Sequence, residues 1–165
     1  MSASQAPTQP LTLRPGEWRD AEAIAGFNRA MALETEGRGL QAERSLAGAQ
    51  RLLRDPALGF YLVAEREGAV VGSLMVTYEW SDWRNGHFWW IQSVYVVPHA
   101  RRSGVFRALY RHVREMVQRD ANVCGLRLYV ESSNARAQAT YASLGMERTH
   151  YLVYEEERPG ADFFE

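Results

Sequence analysis

Cysteine is almost absent from this sequence of 165 residues, which contains only Cys124. A chain with one cysteine cannot close an internal disulfide, and it lacks the paired cysteines of metal and redox motifs. The four histidines are scattered without metal-ligand spacing, so we expect no metal site. No apolar run reaches membrane-spanning length, and the opening residues MSASQAPTQP lack the basic-then-apolar order of a signal peptide. These absences predict a cytoplasmic protein with no membrane partner.

Charge of either sign is not in excess, because 19 Lys and Arg residues stand against 20 Asp and Glu residues. Proteins that bind nucleic acid usually carry a basic excess, so we expect no nucleic-acid partner. With 46% hydrophobic residues, the chain is long enough for one domain with a packed core. We assign residues 11–158 to this domain, residues 1–10 to a disordered tail rich in Pro, Ser and Gln, and residues 159–165 to a C-terminal tail.

Hydrophobic periodicity predicts an α/β (α+β) fold in which helices flank a central mixed, mostly antiparallel sheet. The predicted order is β-α-α-β-β-β-α-β-α-β. The early strands are joined by hairpins and the late ones by helices, so we expect both antiparallel and parallel pairing. Strands are predicted in LTLRP, FYLVAERE, VVGSLMVTYEW, HFWWIQSVYV, CGLRLYVE and MERTHYLVYEEE. Helices are predicted over residues 17–33 and 40–53, from Gly104 onward, and in SSNARAQATYASLG, which Gly145 ends.

The hairpin between the third and fourth predicted strands decides the register of the sheet. Asn85-Gly86 is a strong signal for a two-residue turn in which both residues have positive φ. Counting outward from that turn pairs Glu79 with Gln92 across the hairpin. Since SDWRNG can also form a longer loop, the alternative is a shifted register.

The segment VPHARRSGVFRALY joins a strand to a helix through two arginines, a serine and a glycine. A helix start leaves backbone N–H groups unpaired and carries partial positive charge, which suits a phosphate group. Gly104 lets a ligand approach the backbone, and Arg101 and Arg102 add charged donors. The alternative is an ordinary connection with solvated arginines, and the spacing alone is a weak signal.

With its flanks, the segment SVYVVPHARRSGVFRALY resembles the acyl-CoA-binding segment of the GNAT superfamily of N-acetyltransferases. The matching positions are Val94, Val96, Arg101 and Gly104, whereas Phe106 stands where that family prefers Gly or Ala. The resemblance implies that the pyrophosphate of acetyl-CoA lies on the backbone amides of residues 102–106 and that the pantetheine arm follows the strand. The implied cofactor-binding residues are Val94, Tyr95, Val96, Arg101, Arg102, Ser103, Gly104, Val105, Phe106, Asn134 and Ala137.

A second motif of the same family is N-x-x-A-x-x-x-Y-x-x-x-G-[FM], which this chain matches after LRLYVE. The matching residues are Asn134, Ala137, Tyr141, Gly145 and Met146. Two helical turns separate Asn134 from Tyr141, so both lie on one helix face. The resemblance implies that Tyr141 is the general acid that protonates the leaving sulfur; the alternative is a tyrosine that only packs under the sheet. Asn134 is also a candidate helix cap.

The resemblance implies an acyl-CoA-dependent N-acetyltransferase that acts on a primary amine of a small molecule or peptide by direct attack. The alternative is a non-catalytic module that senses acyl-CoA. For the general base we consider Glu79, Glu34, Glu36 and ordered water. The candidate acceptor-binding residues are Glu34, Glu36, Trp80 and Gln92. The aromatic residues of the hairpin serve as a core, as a homodimer contact or as a wall for the acceptor.

Overall fold

The computed structural model of the chain describes residues 10–160 and Phe164. The predicted tails over 1–9, 161–163 and 165 therefore lie outside the described residues. The elements follow one another as β, α, α, β, β, β, α, β, α. Their bounds are β1 Thr12–Pro15, α1 Ala21–Glu36, α2 Ala42–Arg54, β2 Gly59–Arg66, β3 Ala69–Ser81, β4 Gly86–Val96, α3 Val105–Arg119, β5 Val123–Arg127 and α4 Ala135–Ser143.

The strands form one sheet in chain order, β1-β2-β3-β4-β5. The pairs from β1 to β4 are antiparallel, and β4 pairs with β5 in parallel. The predicted mixed sheet is therefore confirmed. The β2–β3 turn has positive φ at Glu67 (51°) and Gly68 (77°), as a tight two-residue hairpin turn requires.

The predicted register of the β3–β4 hairpin is wrong. Ser81 pairs with Gly86, so residues 82–85 form a four-residue loop; Glu79 lies opposite Phe88, and Gln92 lies opposite Met75. Glycine is needed at position 86 for packing within the sheet and not for the turn, because a Cβ there would lie 2.7 Å from the carbonyl oxygen of Asn122. The close approach of the chain entering β5 therefore requires glycine in the first position of β4, and the loop begins earlier than the Asn-Gly pair suggests.

Helices cover both faces of the sheet. On one face, which we call the α1 face, helices α1 and α2 pack on β2 and β3 through a core of Ile24, Ala25, Ala49, Leu52, Tyr61 and Val63. On the other, the α3 face, helix α3 packs through Val105, Leu109 and Val113 against Leu62, Leu74, Val76, Trp89 and Ile91. Trp89 belongs to the core of the α3 face, so its neighbour Trp90 lies on the α1 face.

The predicted last strand, MERTHYLVYEEE, is wrong for the described residues. Residues 147–157 carry no strand assignment, and β5 itself ends at Arg127 instead of continuing through LYVE. A strand needs a ladder partner, and sequence alternation alone does not supply one. The large side chains of this segment are consequently exposed: Tyr151 by 70%, Leu152 by 75%, Val153 by 72% and Tyr154 by 91%.

Within residues 10–160, none of the helices is both long enough and apolar enough to cross a membrane. The same described residues contain no group of three or more His, Cys, Asp or Glu side chains arranged to hold a metal ion.

Candidate active site

The connection from β4 to α3 is a compact turn with two left-handed residues. One 3-10 turn spans Pro98–Ala100, and α3 begins at Val105 after the residues Arg102 (φ 64°) and Gly104 (φ 83°). A Cβ on Gly104 would meet no atom within 4 Å. Glycine is therefore favoured at this position by the backbone conformation and not by packing, and the space above it is open.

The start of α3 offers backbone donors. Gly104 is its N-cap and gives no side-chain cap, and the first N–H groups of any α-helix lack partners within the helix. Val105 fixes this helix end on the sheet: it is 2% exposed, and its Cγ1 lies 3.1 Å from where a Cβ on Gly72 would be. Left-handed residues directly before a helix start, as Arg102 and Gly104 are here, are a backbone arrangement that binds anions.

The side chains of this turn have different roles. The Ser103 hydroxyl donates to the Ala100 carbonyl (2.7 Å) and accepts from Arg66 Nη1 (3.1 Å). Arg101 is directed to the α1 face, where it contacts Glu34 and the Val96 carbonyl. Sequence reasoning missed Arg66, because the last residue of β2 reaches the turn only through the sheet fold and no local motif marks it.

Within residues 10–160, the last part of strand β4, beside this turn, has no strand partner on the side of β5, and we call this part its free edge. Its parallel pairing with β5 ends at Trp90 and Arg127, although β4 continues to Val96. Near the middle of the free stretch, Ser93 has a φ of 48° and the register with β3 shifts between Met75 and Ser73. This is a β-bulge, which leaves backbone groups outside the ladder and re-aims the strand. Beyond it, Val94 and Val96 pack on the α3 core.

Tyr141 of α4 lies against the start of α3. Its ring meets that of Phe106 edge-on, with centroids 5.9 Å apart, and Phe106 also neighbours Tyr110. The Phe106 ring therefore packs against other aromatic rings, and its backbone amide still belongs to the first turn of α3. Burial raises the pKa of the Tyr141 hydroxyl above its usual value of 10. The predicted cap is confirmed: Asn134 Oδ1 accepts from the Ala137 amide at 3.0 Å.

Glu79 is held in an ion pair on the α1 face. Its carboxylate accepts from the Trp90 indole and from Arg127 Nη1 at 2.7 Å. These hydrogen bonds lower the pKa of Glu79, the bond from Trp90 most strongly. Sequence reasoning missed Arg127, because its contact depends on the parallel pairing of two strands distant in the chain. Gln92 lies on the same face and donates to Thr77 Oγ1 at 2.6 Å.

Trp80 does not join the other candidate acceptor residues. It pairs with His87, one position from the Glu79–Phe88 pair, so its side chain is on the α3 face. It is 59% exposed. The structure therefore separates Trp80 from Gln92 and Glu79. The aromatic residues on the α1 face of this region are Trp90 and its neighbour Tyr129, with ring centroids 6.0 Å apart.

Glu34 and Glu36 end α1, and only Glu34 has a partner among the contacts of the described residues. Glu34 accepts from Arg101 Nη2 (2.9 Å) and from the Tyr95 hydroxyl (3.2 Å). The bond from Arg101 is the main cause that lowers the pKa of Glu34. Glu36 is exposed. Three of the predicted residues (Glu34, Tyr95 and Arg101) are thus brought together.

Comparison with known proteins identifies one family. The model of the acetyltransferase (GNAT) family matches residues 18–146. A possible acetyltransferase from Clostridium difficile 630 is 44% identical, with a TM-score of 0.85 over 90% of this chain and 97% of that one. AAC(6')-Iy bound to the bisubstrate analogue CoA-S-monomethyl-acetylneamine has a TM-score of 0.74 at 15% identity, over 90% of this chain and 99% of that one. Ribosomal-protein-alanine N-acetyltransferase from Brucella melitensis biovar Abortus 2308 has a TM-score of 0.73 at 17% sequence identity, over 90% of this chain and 99% of that one. At such identities the last two concern the fold alone, and no curated protein sequence matches.

Proposed function

This chain belongs to the GNAT acetyltransferase family, and we propose that it transfers the acetyl group of acetyl-CoA to a primary amine of a small molecule or peptide. Family membership makes it an N-acetyltransferase. Its acceptor and the roles of its residues are the proposal. The observation that carries the proposal is the pairing of an open amide cradle at residues 102–106 with a free, bulged strand edge beside it.

The chain offers acetyl-CoA a site of matching chemistry. The amides at the start of α3 fit a pyrophosphate, because helix starts supply both free N–H groups and partial positive charge. The unpaired edge of β4 up to Val96 offers backbone donors and acceptors to the amide groups of a pantetheine arm. An amide near Val94, beside the bulge at Ser93, is our candidate donor to the thioester oxygen.

Acetyl-CoA supplies the thioester, which the acceptor nitrogen attacks directly while both substrates are bound. The bond between the carbonyl carbon and sulfur breaks, and we assign to Tyr141 the proton that the sulfur receives. Its raised pKa keeps the hydroxyl protonated at neutral pH, as a general acid requires. The contact between the rings of Tyr141 and Phe106 supports this role, because it brings the phenol to the helix start that holds the cofactor.

The base that takes the amine proton is best assigned to ordered water. Glu34 and Glu79 each accept a hydrogen bond from an arginine, and the pKa of each is lowered. A carboxylate with a lowered pKa is a weaker base than an ordinary one. Glu36 remains the carboxylate alternative.

We place the acceptor on the α1 face, beside the free edge of β4. Trp90 and Tyr129 offer aromatic surface there, and Gln92 with Glu79 offers polar groups. The carboxylate charges of Glu34 and Glu79 are compensated by arginines. A site with compensated charge favours an acceptor with one amine over a polycation, since a polycation gains most from unpaired carboxylates.

We also propose that the protein acts in the cytoplasm as a homodimer. The cytoplasm is the compartment that we infer from the paucity of cysteine and from the use of acetyl-CoA. For the dimer, the support is the contiguous exposed run from Tyr151 to Tyr154, because large exposed apolar patches mark interaction surfaces.

The direct test is a panel of amines mixed with acetyl-CoA and the purified protein. The panel includes amino sugars, polyamines, amino acids and peptides with free N-termini. We expect thiol release that requires one of these amines, with a product heavier by one acetyl group per released thiol. Reactions without amine measure background hydrolysis. If acetyl-CoA binds tightly and no amine of the panel is acetylated, the acyl-CoA sensor becomes the better interpretation.

A further inference from the structure

Arg101 stands at the motif position of a phosphate-binding turn, but its guanidinium is occupied within the chain. Nη2 donates to both carboxylate oxygens of Glu34 at 2.9 Å, and Nε donates to the Val96 carbonyl at 2.8 Å. The guanidinium carbon also lies 5.3 Å from the centre of the Tyr95 ring. All these partners belong to α1 or β4, so the side chain is turned toward the α1 face and not toward the start of α3.

Glu34 and Tyr95 complete a cluster that joins three elements. Tyr95 is 8% exposed, its ring stacks on Phe27 of α1 with centroids 5.2 Å apart, and its hydroxyl donates to Glu34. Glu34 lies in the last turn of α1, Tyr95 lies near the end of β4, and Arg101 begins the left-handed turn. The Glu34–Tyr95–Arg101 cluster therefore ties helix, strand and turn together.

This cluster bears on the geometry of the amide cradle. Arg101 directly precedes the strained residue Arg102, and its bond to Val96 links the turn to the last residue of β4. A binding site gains affinity when its groups are held in the bound geometry beforehand, because less ordering occurs on binding. Arg102, in contrast, is exposed, and none of the ion pairs found within residues 10–160 includes it.

We infer that Arg101 is a positioning residue: its bonds to Glu34 and Val96 fix the turn for the phosphates of CoA, and Arg102 supplies the side-chain charge that meets them. The inference rests on the proposed binding of acetyl-CoA at this turn. It makes Glu34, a residue of the acceptor-side helix, as important for CoA affinity as Arg101 itself.

The test measures the dissociation constant of CoA by calorimetry for wild type, Arg101→Gln, Glu34→Gln, the double variant and Arg102→Gln. We expect Arg101→Gln and Glu34→Gln to raise the dissociation constant by a similar factor of roughly three to ten, the range for the loss of one ordinary hydrogen bond. The dissociation constant of the double variant should not exceed the larger of the two single-variant constants, because both substitutions break the same ion pair. Arg102→Gln alone should make binding less sensitive to salt.

Steady-state kinetics separate positioning from damage to the fold. We expect KM for acetyl-CoA to rise in Arg101→Gln and Glu34→Gln by a larger factor than any fall in kcat, with the stoichiometry of CoA binding unchanged. A misfolded fraction would instead lower kcat and the stoichiometry and leave KM unchanged. The inference is overturned if Glu34→Gln binds CoA as well as wild type, or better, while Arg101→Gln binds it weakly, because Arg101 then contacts the phosphates itself. Wild-type protein that does not bind CoA would overturn the proposed function together with this inference.

Discussion

At the scale of single residues, Tyr141 carries the clearest chemical prediction. Tyr141→Phe keeps the ring that packs on Phe106 and removes the proton donor. We expect CoA affinity to persist and kcat to fall about 100-fold, the low end for general acid catalysis. Burial raises the pKa of Tyr141, so its acid form is complete at neutral pH and is lost only as pH rises above about 10. The wild-type rate should therefore show no alkaline decline from this residue below that pH.

Tyr110→Phe is the matched control for this substitution. Tyr110 is a buried tyrosine whose ring also neighbours Phe106, and burial raises its pKa too. Loss of its hydroxyl should leave kcat near wild type. Equal kcat in wild type and Tyr141→Phe would remove Tyr141 from the mechanism.

The residues of the site were predictable where a local motif marks them. Gly104, Asn134 and Phe106 sit in contiguous patterns, and their backbone or capping roles follow from the nearby sequence. Arg66 and Arg127 were not predictable, since each reaches its partner only across the folded sheet. The roles of the predicted residues in binding and catalysis stay predictions.

At the scale of elements, β1 is tied to α1 by a buried ion pair whose pH dependence can be measured. Arg14 donates to both carboxylate oxygens of Asp20, which is 3% exposed, and the Glu17 amide adds a third bond. Burial alone would raise the pKa of Asp20, but the bonds from Arg14 and Glu17 outweigh it and hold the pKa below 3.8. The stabilisation is therefore present above about pH 3.8 and is lost as the pH falls further.

We expect Asp20→Asn to lower the free energy of unfolding by about 2 kcal/mol at pH 7, because Arg14 keeps its ion pair with Glu65 but loses its charged hydrogen bonds to Asp20. Urea unfolding at several pH values measures this, and the difference from wild type should shrink toward pH 3. Glu115→Gln breaks an exposed pair with Arg119 and should cost about 0.5 kcal/mol or less. An Asp20→Asn protein as stable as this control would contradict the assignment.

The types of the secondary-structure elements could be predicted from the periodicity of apolar residues, whereas the pairing of the strands could not. Helices and the first five strands lie near their predicted places because apolar spacing is a local property. The prediction of the β3–β4 register was wrong because Gly86 is needed for close contact with the backbone of Asn122. Asn122 lies just before β5 and is distant from Gly86 in the sequence. The prediction of the last strand was wrong because residues 147–157, although they alternate in polarity, pair with no strand among the described residues.

At the scale of the whole molecule, the exposed segment predicts self-association. Stable interfaces bury about 1,600 Å² in total, and the run from Tyr151 to Tyr154 presents four large side chains to solvent. We expect the wild type to sediment as a dimer and Leu152→Glu to shift it to monomer. Leu58→Glu, at a half-exposed leucine elsewhere, should remain dimeric. A monomeric wild type at micromolar concentration would contradict the homodimer.

Calorimetry of Gly104→Val tests most directly whether CoA binds on the amides of residues 102–106. A β-branched residue is strained at the φ of 83° and its side chain enters the open space above the turn. We predict that the dissociation constant of CoA rises at least about tenfold, equal to about 1.4 kcal/mol. Gly68→Val is the control, because it meets the same strain and the same open space in the β2–β3 turn and should bind CoA as wild type does. Unchanged affinity in a folded Gly104→Val protein would contradict CoA binding on these amides.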